Sequence, residues 1–216
     1  MRRFPAIALR AAQAAVVLAI LLIFGAGMAQ AQLPTIVRVE EDWELVVGAP
    51  DSVADAPQVS CTIAPVGNVN SVYATFVLNH QSLPGYTAGG LQLQIWDGDL
   101  PVADRKFPNP SVMSIPGEVV TWTQTMRIAE GLLHFEVTSG SSTTWGPFGG
   151  QGYLNAAVST TLSDLTGYQP AVSVANSGVT FAANRVSSLV LKRVRLVTAA
   201  GEILEDATER PVGLQN

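Results

Sequence analysis

The chain has 216 residues carrying 17 acidic and 12 basic side chains, a formal net charge of −5. That balance argues against a nucleic-acid partner, because neutralising phosphates takes a basic surface. A single cysteine, Cys61, excludes an intramolecular disulfide, and a chain this long can bury a sizeable core without one.

The first residues read as an export signal. Arg2, Arg3 and Arg10 precede an uncharged apolar run from Ala11 to Gly27, and Ala29-Gln30-Ala31 sets small residues at the positions a signal peptidase reads. The run is about 17 residues, short of the ~20 that a spanning helix needs. Cleavage after Ala31 leaves Gln32 at the mature N-terminus and removes three of the 12 basic residues, so nine face 17 acidic ones, net −8. No second apolar run of spanning length follows, and no Cys sits at the cleavage site for lipidation. The expectation is a signal peptide over 1–31 and one secreted or extracytoplasmic domain over 32–216: periplasmic, at the surface or extracellular.

Within that domain, apolar residues recur every second position, the rhythm of half-buried strands. A strand over 37–47 contains Glu40-Glu41-Asp42-Trp43-Glu44, and alternation places Glu40, Asp42 and Glu44 on one face. A basic late strand with Lys192, Arg193 and Arg195 is their natural cross-strand complement. Strands follow at 58–63, where Cys61 reads as a small buried residue, and at 72–79. Leu91, Leu93 and Ile95 then share a face, and Asp97-Gly98 offers a hairpin turn. Asp97, Asp99 and Asp104 could together supply part of a calcium site, although Asp-Gly is equally what the turn requires.

Val120, Trp122, Gln124, Met126 and Ile128 line one face of the next strand, and Ala129-Glu130-Gly131 turns the chain into Leu133, Phe135 and Val137. A long Gly/Ser-rich connection over 139–153 holds Trp145, Phe148, Gln151 and Tyr153, whose rings either cap the end of the domain or stack on a ligand. Further strands are expected at 156–162, 171–175, 179–182 and 187–197. With no long amphipathic helix, the fold class is all-β, a two-sheet antiparallel sandwich. His80 and His134 form neither a metal pair nor a triad, and Asn109-Pro110-Ser111 is no glycosylation acceptor because Pro is central.

The strand ending in Trp122-Thr123-Gln124, the Gly131 turn, Leu132-Leu133-His134-Phe135-Glu136-Val137 and the late strand Ser188 to Val194 together resemble the concanavalin A-like jelly roll of laminin G-type and lectin-type domains. The resemblance implies stacked sheets, one of them concave, with ligand loops at the rim, glycan binding and, in many members, calcium. Hydrolases of that broad fold carry Glu-x-Asp-x-Glu on one strand. Carried over, it implies Glu40 as nucleophile, Asp42 as orienting carboxylate and Glu44 as general acid of a retaining glycosidase, with Glu41 standing where the pattern has an apolar residue.

The leading functional expectation is a non-enzymatic module that binds an extracellular or cell-envelope glycan through the Trp145 loop or a concave sheet, without an obligatory cofactor. The alternative is a structural envelope protein that self-associates or binds a protein through a sheet edge or face. A glycoside hydrolase using Glu40, Asp42 and Glu44 is third.

Overall fold

Among the described residues, thirteen strands, one short α-helix and a single 3-10 turn at Ala183–Arg185 realise this alternation. A computed structural model describes residues 34–49, 57–82, 89–150 and 152–214. The signal peptide expected over 1–31 lies outside the described residues. In chain order the strands are β1 (Ile36–Val47), β2 (Gln58–Ile63), β3 (Val72–Asn79), β4 (Gly90–Asp97), β5 (Leu100–Pro108), β6 (Val119–Ala129), β7 (Leu132–Ser142), β8 (Gly146–Phe148) and β9 (Asn155–Ser159). Helix α1 (Pro170–Ala175) precedes β10 (Gly178–Thr180), β11 (Val186–Thr198), β12 (Ile203–Asp206) and β13 (Arg210–Pro211).

The strands form two antiparallel sheets. The larger, of eight strands, runs β12-β11-β1-β6-β7-β8, with β13 also beside β11 and β9 also beside β7. The smaller runs β10-β2-β3-β4-β5. In-phase residues of each sheet meet in one core. Val39, Trp43, Leu45, Trp122, Met126, Phe135 and Leu191 come from the large sheet, and Val59, Cys61, Phe76, Leu78, Leu91, Leu93 and Ile95 from the small one. Trp43 and Trp122, opposite each other in the β1–β6 register, stack with ring centroids 6.3 Å apart, and Phe76 meets Trp122 edge-on at 5.5 Å. Each fully buried large apolar side chain contributes about 1.5–3 kcal/mol.

Local chemistry explains where the structure departs from expectation. Glu130 and Gly131 both have left-handed backbone, so Ala129 pairs directly with Leu132 across a two-residue turn. The connection after 139 is largely strand: β7 runs on to Ser142 and β8 folds back along it. Gly140 is required there, since a Cβ would lie 2.3 Å from the Phe148 ring. The strand expected at 171–175 is instead α1. Pro170 stands at its start, where a missing N–H costs nothing, and the Asn176 N–H closes its last turn on the Val172 carbonyl.

Glu41 explains why α1 docks where it does. It sits in the apolar phase of β1, between Val39 and Trp43, and is completely buried. Its Oε2 accepts from the Trp43 indole N–H at 2.9 Å and the Gln124 amide at 2.6 Å. Its Oε1 accepts from the Tyr168 hydroxyl at 2.7 Å and from the Ser173 hydroxyl of α1. Burial pushes the Glu41 carboxyl pKa above its usual range, against the four hydrogen bonds, which favour the ionised form. Burial likewise pushes the Cys61 thiol well up. The carboxyl thus ties the helix to the core, and Ser177 just beyond it accepts from the Thr62 N–H of β2 at 2.9 Å.

Candidate functional site

The outer face of the five-stranded sheet carries a candidate site. Strand alternation turns Gln58, Ser60 and Thr62 of β2 outward, together with Tyr73, Thr75 and Val77 of β3 and Gln94 and Trp96 of β4. Register aligns them into rows: Ser60 faces Val77, Thr62 faces Thr75, Thr75 faces Gln94, and Tyr73 faces Trp96. Val69 from the β2–β3 connection and Asn176 after α1 complete the lining, enclosing a groove of about 350 Å³.

Some of these groups are tied to the protein. The Thr62 hydroxyl donates to the Asn176 carbonyl at 2.8 Å and lies 3.4 Å from the Thr75 hydroxyl, and the Gln58 amide donates to Asn79 Oδ1 at 2.7 Å. Among the described residues, Ser60, Gln94 and Trp96 make no side-chain hydrogen bond, nor does the Tyr73 hydroxyl. Burial and the nearby Asp99 carboxylate raise the Tyr73 phenol pKa, so at neutral pH it is an O–H that can donate. Among the described residues, no charged side chain lines the groove. Two neighbouring aromatic rings beside free amide and hydroxyl groups, over an open floor, can stack on one face of a flat polar ligand and hydrogen-bond its edge.

The outer face of the large sheet differs. Glu40, Asp42 and Glu44 do share it, and each is ion-paired. Arg195 reaches Glu40 at 3.0 Å and Asp42 at 3.4 Å, Arg193 reaches Asp42 at 2.6 Å and Glu205 at 3.5 Å, and Lys192 reaches Glu44 at 3.7 Å and Glu209 at 2.5 Å. The Thr123 hydroxyl adds a donor to Asp42 at 2.7 Å. The β1–β11 register, with Glu40 opposite Arg195 and Asp42 opposite Arg193, is the cross-strand complement expected from the sequence. A trough of about 540 Å³ lies here, walled by Lys192, Arg193 and Arg195 and floored by Thr121, Thr123 and Ser139 to Ser141.

The aromatic residues of the 139–153 connection fold inward. Phe148 is buried, 6.2 Å from Phe76, and Trp145 packs on it at 4.9 Å while its indole N–H donates to Glu118 Oε1 at 2.6 Å. Tyr153 lies 4.8 Å from Phe107, and its hydroxyl accepts from the Gly149 N–H. Gln151 lies outside the described residues.

The three aspartates considered for calcium are spread along one hairpin. Asp97 ends β4, Asp99 is in the turn, and Asp104 stands on β5 opposite Gln94, about 10 Å along the strand from Asp97. Asp104 accepts from the Gln92 amide at 3.0 Å and pairs with Lys106 at 3.4 Å. Among the described residues, no group of three or more His, Cys, Asp or Glu side chains is arranged to hold a metal ion. His80 is buried with its Nδ1 2.8 Å from the Ser82 hydroxyl, and His134 stands opposite Arg127 on the β6–β7 hairpin.

Tyr73 and Gln94 escape sequence reasoning because their neighbourhood depends on the pairing of β2, β3 and β4. The signal that was present is the phase of β4: with Leu91, Leu93 and Ile95 inward, Gln92, Gln94 and Trp96 must face out. No protein-family model matches this chain, and no curated protein matches it.

Proposed function

We propose that this protein is a non-enzymatic binding module that recognises a neutral glycan on the outer face of its five-stranded sheet, and that it acts outside the cytoplasm after export by the signal in residues 1–31. The reading rests above all on the side chains of Ser60, Gln94 and Trp96 and the Tyr73 hydroxyl, which face the groove with no internal partner. A sugar ring offers one apolar face and a rim of hydroxyls, matching an indole and a phenol set beside amide and hydroxyl groups. The uncharged lining among the described residues favours a neutral over an anionic sugar. The two antiparallel sheets are compatible with the concanavalin A-like jelly roll that the strand rhythm resembles, and this relationship is part of the proposal.

Titrating the protein with soluble xylan, glucan and mannan by calorimetry tests the reading. Saturable binding to one of them that is lost in a well-folded Trp96→Ala variant supports it, and silence across the panel counts against it.

One observation favours a second reading, self-association. The edge strand β5 leaves Leu100 at 70% exposure, with Val102 and Phe107 also exposed. An open apolar edge can pair with another copy, although Pro101, Pro108 and the charged pair Arg105 and Lys106 are the devices by which edges resist this. Concentration-dependent mass in light scattering without added sugar is its test.

A further inference from the structure

Phe181 follows β10 directly and combines two unusual features. Its side chain is 65% exposed, among the largest apolar exposures of the described residues. Its backbone is left-handed at φ 55°, and so is that of Ala182 at φ 39°. Neither residue is glycine, and a bulky side chain in that conformation is an outlier that surrounding structure must impose. Here the imposing structure is visible on both sides. β10 is held to β2, and the turn after Ala182 is closed by the Arg185 N–H donating to the Ala182 carbonyl at 2.9 Å, with Arg185 buried.

Register fixes where this residue stands along the sheet. Thr180 pairs with Gln58, a groove residue, and the two side-chain oxygens lie 3.4 Å apart. Phe181 is therefore next to the Gln58 end of the groove. The Tyr73–Trp96 row stands at the opposite end: Gln58 pairs with Asn79, and Tyr73 is six residues further along β3, about 20 Å at the rise of a strand. Ser60, Thr62, Thr75, Val77 and Gln94 occupy the interval. A single sugar ring cannot bridge that length, whereas an oligosaccharide can.

We propose that Phe181 is a second aromatic platform of the same site, stacking on a ring of a neutral oligosaccharide remote from the ring held by Tyr73 and Trp96. This rests on the glycan reading above and adds to it a length requirement: the ligand is a polymer segment rather than a terminal sugar. The exposed phenyl and the strained backbone then have a common purpose, since the conformation keeps the ring at the rim instead of in the core.

The test is calorimetry with a disaccharide, a tetrasaccharide and a hexasaccharide of whichever of xylan, glucan or mannan binds, using wild type, Phe181→Ala, Phe181→Tyr and Trp96→Ala. The expected result is that Phe181→Ala binds the disaccharide like wild type and the hexasaccharide about tenfold more weakly. Phe181→Tyr, which keeps a ring, restores hexasaccharide affinity, and Trp96→Ala loses all three. If Trp96→Ala loses binding but Phe181→Ala holds the hexasaccharide as tightly as wild type, the second platform is overturned and the groove stands. If wild type binds none of them, or Trp96→Ala binds like wild type, the groove itself is overturned and Phe181 with it. Equal melting temperatures of the exposed-site variants and wild type are required of the expected result.

Discussion

On the outer face of β1 and β11, the carboxylates of Glu40, Asp42 and Glu44 lie against Arg195, Arg193 and Lys192, while on the outer face of β2, β3 and β4 Ser60, Gln94 and Trp96 point at water with no internal partner. The two faces belong to one sandwich and alternate by the same rule, yet they suit different work. A ligand reaching the charged face must first displace an ion pair, so that face mainly reinforces its sheet. A ligand reaching the polar face replaces only solvent. The larger trough lies on the charged face and the smaller groove on the polar one, so volume alone is a poor guide here.

Four perturbations can break or sharpen this contrast. The largest effect is expected at Trp96→Ala, which removes a groove ring without touching the core. Glycan affinity should fall about 100-fold, or about 2.7 kcal/mol, with an unchanged melting temperature. Asp42→Ala should do the reverse. It leaves the Thr123 hydroxyl without its acceptor and takes from Arg193 and Arg195 one of the two carboxylates each reaches, and should lower stability in chemical denaturation by about 1–3 kcal/mol, while binding stays at the wild-type value. A destabilising Trp96→Ala, or a binding-deficient Asp42→Ala, would erase the distinction between the faces.

Glu41, between the two faces, gives a pH-dependent signature. Burial raises its folded-state pKa above the ordinary carboxyl value of about 4.5, so its stabilising contribution is fully present below the unfolded value and is lost as pH rises through the folded one. Glu41→Gln keeps an acceptor for Trp43 and Gln124 and a donor for the hydroxyls of Tyr168 and Ser173. Melting temperatures across pH should therefore fall less steeply above about pH 4.5 in this variant than in wild type. The smallest effect belongs to Lys192→Ala, which removes solvent-screened pairs to Glu44 and Glu209. It should leave the melting temperature close to wild type and binding unaltered.

Much of the fold was legible in the strand periodicity because strands report their faces by parity. The phase Val39, Glu41, Trp43, Leu45 even marks Glu41 as a core residue, and its four donors explain how a carboxyl survives there. The segment Ala171 to Ala175 misleads because Val172 and Val174 alternate as a strand would, while Pro170 and the Ser173 contact with Glu41 favour a helical turn. β5 hides behind its prolines and charges, the usual features of an edge. The site was only half legible. Outward phase could be assigned to Gln94 and Trp96, but placing Tyr73 beside Trp96 and Phe181 near Gln58 needs register between strands, which no local pattern encodes.

The most direct test of the glycan groove is a map of amide and indole chemical shifts in the labelled protein on adding a neutral hexasaccharide. Saturable changes gathered on Ser60, Thr75, Gln94 and the Trp96 indole, with Asp42, Thr123 and Arg193 unmoved, are the expected result. Changes centred instead on the Arg193 face or on Trp145, or none with any neutral glycan, would contradict it.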